Sequence, residues 1–294
     1  MPVAQWDGRS VPDLLALEPL DLNLFMNRLN QRNANGALFG GQVLAQALAA
    51  ATLTAPDDRA VHSLHGYFLR AGQSDRAVIY QVDRTRDGGR FSTRRVTAIQ
   101  AGEPIFHMEL GFHAAETGYD HQRAMPDGVP GPESLPDLPG LVRTMGERLP
   151  EFVRRRWADP ARPVEVRPVD PDAFLDGRGR EPRRRFWLRM PSAAGAPEAA
   201  QAALLTYVSD YWLAGTAVLP HAVPMPGPSV FLASLDHAMW FHRPARVDDW
   251  LFVETVSPSA QNGRGLSLGF VHDRAGRLVA TMVQEALMRP RRES

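Results

Sequence analysis

The sequence predicts an α+β protein made of two tandem domains, each a helix followed by an antiparallel sheet. One observation is an unusually apolar segment, Phe39–Ala51, interrupted only by Gln42 and Gln46. Another is the series of strand-like segments, joined by short turns, that follows it. A third is an internal repeat, in which Tyr67–Arg70 (YFLR) recurs as Trp240–Arg243 (WFHR), an offset of 173 residues. Together they indicate a duplicated unit of helix plus meander.

The amino-acid composition of the chain excludes several classes of functional site. The 294 residues suit two domains, and 33 basic against 33 acidic residues give no electrostatic reason to expect nucleic acid or an anionic membrane as a partner. The absence of cysteine excludes a disulfide scaffold, a zinc-thiolate site and a cysteine nucleophile. The absence of lysine excludes a Schiff base and a Walker A loop. Residues 1–7 lack the features of a signal peptide, so we expect a cytoplasmic protein.

The first domain is predicted to wrap a buried helix. The segment Phe39–Ala51 is apolar on nearly every side, so it has to be surrounded by other elements, and it is shorter than the ~20 residues of a membrane span. Gln42 and Gln46 lie four residues apart and therefore share one stripe. β-branched and aromatic residues predict strands over 61–70, 78–84, 91–100 and 105–112.

A proline-rich stretch separates the two domains. Residues 125–140 contain five prolines and indicate a linker, and residues 141–157 predict one amphipathic helix. We therefore expect a first domain over 1–118, a linker and connecting helix over 119–160, and a second domain over 161–294. In the second domain, the pattern predicts a helix over 197–218 and strands over 164–167, 185–189, 231–243, 251–256, 265–272 and 278–288.

Two polar residues interrupt apolar faces in the second domain. Asp210 lies in the predicted helix on a mostly apolar stripe, where burial would raise its pKa and make it a better base. Gln284 is the single amide on one face of the last strand. Each residue has a structural alternative, in which it satisfies a nearby backbone group. Ser234 begins a strand and by itself indicates nothing.

Other residues with chemical potential have ordinary explanations. The segment Gly265–Gly269 matches the G-x-S-x-G motif of serine hydrolases, but a strand follows Ser267 where that motif needs a helix. No histidine follows His272, so the usual Ser-acid-His order cannot be completed at a normal distance. We interpret four histidines on two related strands as structural, namely His62, His65, His237 and His242. The run Arg183–Arg185 indicates a solvated basic edge, with phosphate binding as the alternative.

Several sequence blocks resemble the acyl-CoA thioesterase II family. The matching blocks are FGGQV at 39–43, HSLHGYFLR at 62–70, RDG at 86–88, FSTRRV at 91–96, PIF at 104–106, Ser209-Asp210, DHAMWFHRP at 236–244 and VQE at 283–285. They span most of the chain in the family's order. The resemblance implies a double hotdog fold, in which each sheet wraps one helix.

The resemblance also implies an activity and a site. Proteins of this family hydrolyse fatty acyl-CoA thioesters with an Asp, a Thr or Ser hydroxyl and a Gln that together hold a water. These roles fall on Asp210, Ser234 and Gln284, with Ser234 standing where many relatives have Thr. We therefore expect direct hydrolysis of acyl-CoA without a covalent intermediate, without metal or organic cofactor, and in a homo-oligomer. Backbone N–H groups at a helix start are candidates to hold the thioester oxygen.

Two alternatives remain open at this point. One is a hotdog protein that binds acyl-CoA or hydrates an acyl group without hydrolysing the thioester. The other is a serine hydrolase that uses Ser267, which a fluorophosphonate would label.

Overall fold

The computed structural model describes residues 3–175, 181–221 and 229–291, and its main feature is one long antiparallel sheet. The first half contains strands β1 (Ala4–Gln5), β2 (Leu17–Asp21), β3 (Leu24–Asn27), β4 (Leu29–Asn30), β5 (Arg59–Phe68), β6 (Ile79–Asp87), β7 (Phe91–Gln100) and β8 (Glu103–Ala114). The second half contains β9 (Glu165–Pro168), β10 (Arg183–Arg189), β11 (Val230–Ser234), β12 (Asp236–Phe241), β13 (Leu251–Gln261), β14 (Arg264–His272) and β15 (Leu278–Pro290).

The sheet is two curled half-sheets joined at their edges. Its strand order is β2-β3-β6-β7-β8-β5-β12-β15-β14-β13-β10-β9, with β11 also paired to β15, while β1 and β4 form a separate parallel pair. The join is the antiparallel ladder between β5 and β12, which sets Leu64 opposite Met239. Because the half-sheets are hydrogen-bonded into one sheet, no break in the sheet marks a boundary between two domains. The domain limits at residues 118 and 161 therefore stay a prediction.

Each half-sheet packs around one long helix. The helices are α1 (Val11–Leu15), α2 (Gly40–Thr52), α3 (Leu138–Met145), α4 (Glu151–Trp157), α5 (Pro171–Leu175), α6 (Glu198–Ser209) and α7 (Leu213–Thr216). Helix α2 is buried along almost its whole length, as its apolar sequence predicts, and α6 is buried in the second half. The two helices also pack against each other. Among the described residues, no helix is long and apolar enough to cross a membrane.

The two glutamines of α2 are buried and fully hydrogen-bonded. Gln42 donates to the Leu29 carbonyl (2.8 Å), and its oxygen accepts from the Gln31 backbone N–H (2.7 Å). Gln46 donates to the Leu14 carbonyl (2.7 Å) and accepts from the Tyr80 hydroxyl (2.7 Å). Buried amides are tolerated when they are satisfied in this way. They attach the N-terminal segment to the helix.

The internal repeat of the sequence corresponds to a structural repeat. In the first half, the Arg70 guanidinium donates to the Pro104 carbonyl (2.7 Å). In the second half, Arg243 donates to the Leu278 carbonyl (3.0 Å) in the same way. The residues of each pair are related by offsets of 173 and 174. The prediction of two tandem units, each a helix wrapped by an antiparallel sheet, is therefore confirmed.

Three predicted elements are each divided in two. The helix predicted over 141–157 is interrupted at Gly146, whose φ of 51° a helix cannot contain, and α4 begins only after Pro150. The strand predicted over 231–243 is broken at Leu235, whose N–H bonds to Glu285 and whose carbonyl bonds to Phe68. The helix predicted over 197–218 ends at Ser209 and resumes as α7. Residues 1–2 and 292–294 lie outside the described residues.

Candidate active site

Asp210 lies where the end of α6 meets the start of α2. It is the C-terminal cap of α6, with φ −83° and ψ 0°, so it is not inside a helix as predicted. A Cβ atom on Gly40 would lie 2.8 Å from Asp210 Oδ2, and one on Gly41 would lie 2.5 Å from the Tyr207 carbonyl oxygen. The Gly41 backbone N–H also donates to the Asp210 carboxylate. The two glycines therefore allow an approach that a side chain would prevent.

Three side chains predicted from the sequence come together at this point. Gln284 in β15 donates its Nε2 to Asp210 Oδ1 at 2.7 Å and contacts Ser234 Oγ at 3.0 Å. Ser234, the last residue of β11, donates its hydroxyl to the same Asp210 oxygen at 3.2 Å. The break after Ser234 and the end of α6 bring the three side chains together, although they lie 24 to 74 residues apart in the chain.

The environment of Asp210 favours a base near neutral pH. Burial raises the pKa of its carboxyl to about 6, although hydrogen bonds from Gln284, Ser234 and the Gly41 backbone lower the pKa in part. A carboxylate with a pKa close to the working pH is suited to general base catalysis. Its second oxygen, Oδ2, faces Gly40 at the wall of a cavity.

A histidine that the sequence reasoning treated as structural completes the group. His237 is 1% exposed in β12, and its Nδ1 lies 3.1 Å from Gln284 Nε2. Its Nε2 lies 2.9 Å from the Ser209 hydroxyl, which donates to the Thr206 carbonyl at 2.7 Å. Strand alternation was the available signal, because His237 shares its face with the buried Met239.

These contacts define the protonation of His237. Gln284 Nε2 is a donor only, so His237 Nδ1 has to accept, and its proton is on Nε2. That proton is donated to Ser209 Oγ, whose own proton goes to the helix-end carbonyl of Thr206. Burial lowers the pKa of His237 to about 3 and keeps the ring neutral. The chain of hydrogen bonds thereby turns the nitrogen side of the Gln284 amide toward Asp210.

A cavity of about 1140 Å³ opens beside the carboxylate. Much of its wall is apolar or aromatic, including Phe39, Val43, Phe68, Phe106 and Trp212. Six arginines also line it, at positions 32, 70, 155, 156, 184 and 291, whereas Asp210 is the one acidic residue among the described lining residues. The cavity thus combines an apolar interior with a positive surface.

The other residues that the sequence singled out lie away from Asp210 or make structural contacts. Ser267 is fully buried inside β14, and the strand continues on both sides of it, as predicted. His62 packs edge-on against Phe91, and His65 against Trp240, which agrees with structural roles. Within the described residues, no three His, Asp or Glu side chains are grouped as a metal site requires.

The prediction of a solvated edge at Arg183–Arg185 is wrong for the middle residue. Arg183 is exposed, and Arg185 pairs with Asp170 at 3.0 Å, but Arg184 is only 7% exposed and lines the cavity. The alternation of β10 explains the difference, because residues on either side of Arg184 face away from the helices.

Two helix-wrapping sheets joined edge to edge form a double hotdog fold. A conserved protein of unknown function with a hot dog fold from Alicyclobacillus acidocaldarius shares it, with a TM-score of 0.74 at 18% identity over 94% of this chain and 97% of that one. A solved structure of an acyl-CoA thioesterase II, TesB2, from Mycobacterium marinum has a TM-score of 0.76 at 36% identity, covering 96% of this chain and 99% of that one.

Sequence comparison assigns the family. Models of the acyl-CoA thioesterase N-terminal and C-terminal domains match residues 30–113 and 129–288. Human acyl-coenzyme A thioesterase 8 is 40% identical over 287 residues, which cover 95% of this chain and 88% of the relative. The chain belongs to the acyl-CoA thioesterase family, as its resemblance to that family predicts.

Proposed function

We propose that this protein hydrolyses fatty acyl-CoA to a free fatty acid and CoA by direct attack of a water molecule held by Asp210, Ser234 and Gln284. The observation that carries the proposal is the Asp210 carboxylate, whose pKa burial raises to about 6, at the wall of a largely apolar cavity. Membership of the acyl-CoA thioesterase family supports the same activity.

The chemistry needs one base and no covalent intermediate. Asp210 takes a proton from the water as the water oxygen bonds to the thioester carbon. When the tetrahedral intermediate collapses, the carbon–sulfur bond breaks and Asp210 returns the proton to the CoA sulfur. Gln284 and Ser234 hold the water through the base: they fix the carboxylate through Oδ1, which leaves Oδ2 to bind the water.

The start of α2 offers a donor for the developing oxyanion. The first N–H groups of a helix have no intrahelical acceptor, and they carry the positive end of its dipole. The Gly41 N–H is directed to Asp210, whereas Gly40 lines the cavity beside the carboxylate. We assign the Gly40 N–H to the thioester oxygen.

The cavity suits an apolar acyl chain carried by a polyanion. Its aromatic lining can enclose the acyl chain, and four of its arginines, Arg32, Arg70, Arg155 and Arg291, are solvent-exposed and can contact CoA phosphates. Arg70 and Arg155 also pair with Glu103 and Glu151. We retain the expectation of a cytoplasmic homo-oligomer that needs no metal or organic cofactor.

Thiol release from a series of acyl-CoAs tests the proposal. Because the protein has no cysteine, a thiol-reactive dye detects only CoA. Asp210→Asn should lower kcat by about 100- to 10,000-fold, the range for loss of a general base. The control is Asp236→Asn, since Asp236 accepts from the Glu285 backbone N–H at 2.6 Å and asparagine can still accept there.

Two results would contradict the proposal. Near-normal turnover in Asp210→Asn would show that Asp210 is not the general base. Binding of acyl-CoA without thiol release at any chain length would favour a hotdog protein that binds or hydrates acyl groups.

A further inference from the structure

Two polar side chains of the cavity wall, Gln31 and Tyr211, have no part in the proposed water site. Both are half-buried, and both line the cavity that contains Asp210. Gln31 follows β4 in the first half of the molecule, whereas Tyr211 directly follows Asp210 in the second half. Tyr207, which is fully buried in α6, connects them by hydrogen bonds. We call these three residues the Gln–Tyr network.

Hydrogen bonds hold both the backbone and the side chain of Gln31. Its backbone N–H donates to Gln42 Oε1 at 2.7 Å, and its backbone carbonyl accepts from the Phe39 N–H at 2.9 Å. Its side-chain oxygen accepts from the Tyr207 hydroxyl at 2.8 Å. The amide nitrogen, Nε2, has no acceptor among the described residues and keeps solvent-accessible surface at the cavity wall. It is therefore a fixed donor that a ligand can reach.

The direction of these hydrogen bonds defines what Tyr211 offers to a ligand. A tyrosine hydroxyl has one proton, and Tyr207 gives its proton to Gln31. At the 2.9 Å contact between the two hydroxyls, Tyr207 therefore accepts and Tyr211 donates. The Tyr211 oxygen is left with acceptor capacity only. Turning the Gln31 amide over reverses every step, so the network presents one donor and one acceptor in either state.

Aromatic contacts fix the two tyrosines beside the reaction site. Their ring centroids lie 5.5 Å apart, and Phe39 packs edge-on against Tyr207 at 5.5 Å and against Tyr211 at 5.3 Å. Burial raises the pKa of the Tyr207 hydroxyl, so the hydroxyl keeps its proton. Because Phe39 directly precedes Gly40 and Tyr211 directly follows Asp210, the Gln–Tyr network is attached next to the groups of the proposed reaction.

We propose that Gln31 and Tyr211 bind an amide of the pantetheine arm of CoA, and that this is the amide nearer to the sulfur. This inference rests on the proposed function. An amide carries one hydrogen-bond donor and one acceptor, and the Gln–Tyr network offers the complementary pair. The position of the network beside Asp210 favours the nearer amide, which only two methylene groups separate from the sulfur.

The surroundings of the network suit the arm better than the acyl chain. A hydrocarbon chain against this wall would take the Gln31 nitrogen and the Tyr211 oxygen out of water without giving them a partner, which is unfavourable. Arg32 follows Gln31 in the sequence and is one of the exposed arginines that suit CoA phosphates. An arm bound by the network would therefore run from the sulfur toward those arginines.

Three thioesters of one fatty acid, octanoate, test this proposal. Octanoyl-CoA carries both amides of the arm, octanoyl-N-acetylcysteamine carries only the nearer one, and octanoyl-mercaptoethanol carries none. The readout is kcat/KM for each amide-containing thioester divided by kcat/KM for octanoyl-mercaptoethanol. Gln31→Leu should lower both ratios by about 3- to 10-fold, as expected for the loss of one hydrogen bond between neutral groups. Tyr211→Phe keeps the ring and should lower both ratios by a similar factor.

The separate kinetic constants show at which stage the hydrogen bond acts. The arm is unchanged by the reaction, so the network should bind it equally in the ground state and in the transition state. In both variants we expect KM for octanoyl-N-acetylcysteamine to rise, with kcat within a few-fold of wild type. A fall in kcat at unchanged KM would contradict binding of the arm and would assign Gln31 to the oxyanion instead.

The controls separate this inference from folding and from the proposed function. Gln73→Leu makes the same change at an exposed side chain that does not line the cavity, and it should leave both ratios unchanged. Thermal unfolding of each variant reports damage to the fold. Unchanged ratios in Gln31→Leu and Tyr211→Phe, or a loss with octanoyl-CoA alone, would overturn the assignment to the nearer amide. A wild type that releases no thiol from octanoyl-CoA or any longer acyl-CoA would contradict the proposed function itself.

Discussion

The two halves of the molecule share one backbone plan, but their polar residues serve different ends. Three polar residues of the second half correspond, at the repeat offset, to three apolar residues of the first: Ser234 to Val61, His237 to Leu64 and Gln284 to Leu110. Leu64 and Leu110 face each other across the β5–β8 ladder, and His237 and Gln284 are hydrogen-bonded at the corresponding place. At corresponding positions, the same backbone arrangement therefore holds apolar side chains in the first half and a polar site in the second.

The buried polar groups of the first half show a further contrast. Gln42 and Gln46 on α2 are as buried as Gln284, but both of their amides are satisfied by neighbouring backbone and side chains. In the second half, the Gln284 oxygen has no partner among the described residues, and the network ends at a carboxylate beside a cavity. A hydrogen-bond network whose members are all satisfied within the protein indicates a structural role, whereas a network that ends at a cavity indicates a catalytic role.

Among exchanges of residues between the two halves, replacing Gln284 with its first-half counterpart should have the largest effect on kcat. In Gln284→Leu, the Asp210 carboxylate loses its shortest hydrogen bond and its orientation. We expect kcat to fall by about 100- to 1000-fold, as for loss of a precisely placed polar group in an active site. Steady-state thiol release measures it. The reciprocal Leu110→Gln should destabilise the first half without adding activity, and a gain in turnover there would break the comparison.

Removing a satisfied amide of the first half should affect stability and spare catalysis. Gln46→Leu leaves the Leu14 carbonyl and the Tyr80 hydroxyl without their partner. We expect the free energy of unfolding to fall by about 2–3 kcal/mol, with kcat within a few-fold of wild type. Urea unfolding and thiol release on the same samples check this. A large loss of kcat at unchanged stability would mean that this network also serves the site.

His237 should act through the orientation of Gln284. His237→Leu introduces the residue of the first half and removes the acceptor of the Gln284 amide. We expect kcat to fall by about 10- to 30-fold with KM little changed, because the histidine does not touch the cavity. His237→Asn, which can still accept, should recover part of the loss. A rise in KM alone would contradict a role in positioning.

The ionised Asp210 carboxylate should lower the free energy of unfolding at the pH where it acts as a base. Burial raises the pKa of its carboxyl from 3.8 to about 6, so the unfolded chain loses this proton first as the pH rises. Between those pH values the native state becomes progressively less stable relative to the unfolded chain, and this loss of stability reaches its full size above pH ~6. Asp210→Asn should therefore increase the free energy of unfolding by about 3 kcal/mol at pH 8 and by little at pH 4. Equal effects at both pH values would exclude the raised pKa as the cause.

The sequence predicts the elements well where local chemistry decides them. The strand predicted over 91–100 has those limits in the structure as β7, because alternation and turn residues define it. The end of α6 at Asp210 was not predictable, since no glycine or proline marks it and the contact with α2 comes from the other half.

The site residues differ in how visible they were. Asp210 and Gln284 interrupt apolar faces, so pattern alone singled them out, whereas Ser234 depended on the family resemblance. His237 and Arg184 looked ordinary, one among several histidines and the other in a run of arginines. Only the placement of each side chain inside its strand shows that it faces the interior.

The most direct test of the account is a single turnover in water enriched in oxygen-18, with enzyme in excess over acyl-CoA. Direct attack by a water held at Asp210 predicts that the released fatty acid carries one oxygen-18 atom from the first turnover and that the protein stays unlabelled. An unlabelled fatty acid together with oxygen-18 in the Asp210 peptide would show that the carboxylate attacks the thioester itself, and the proposed mechanism would be wrong.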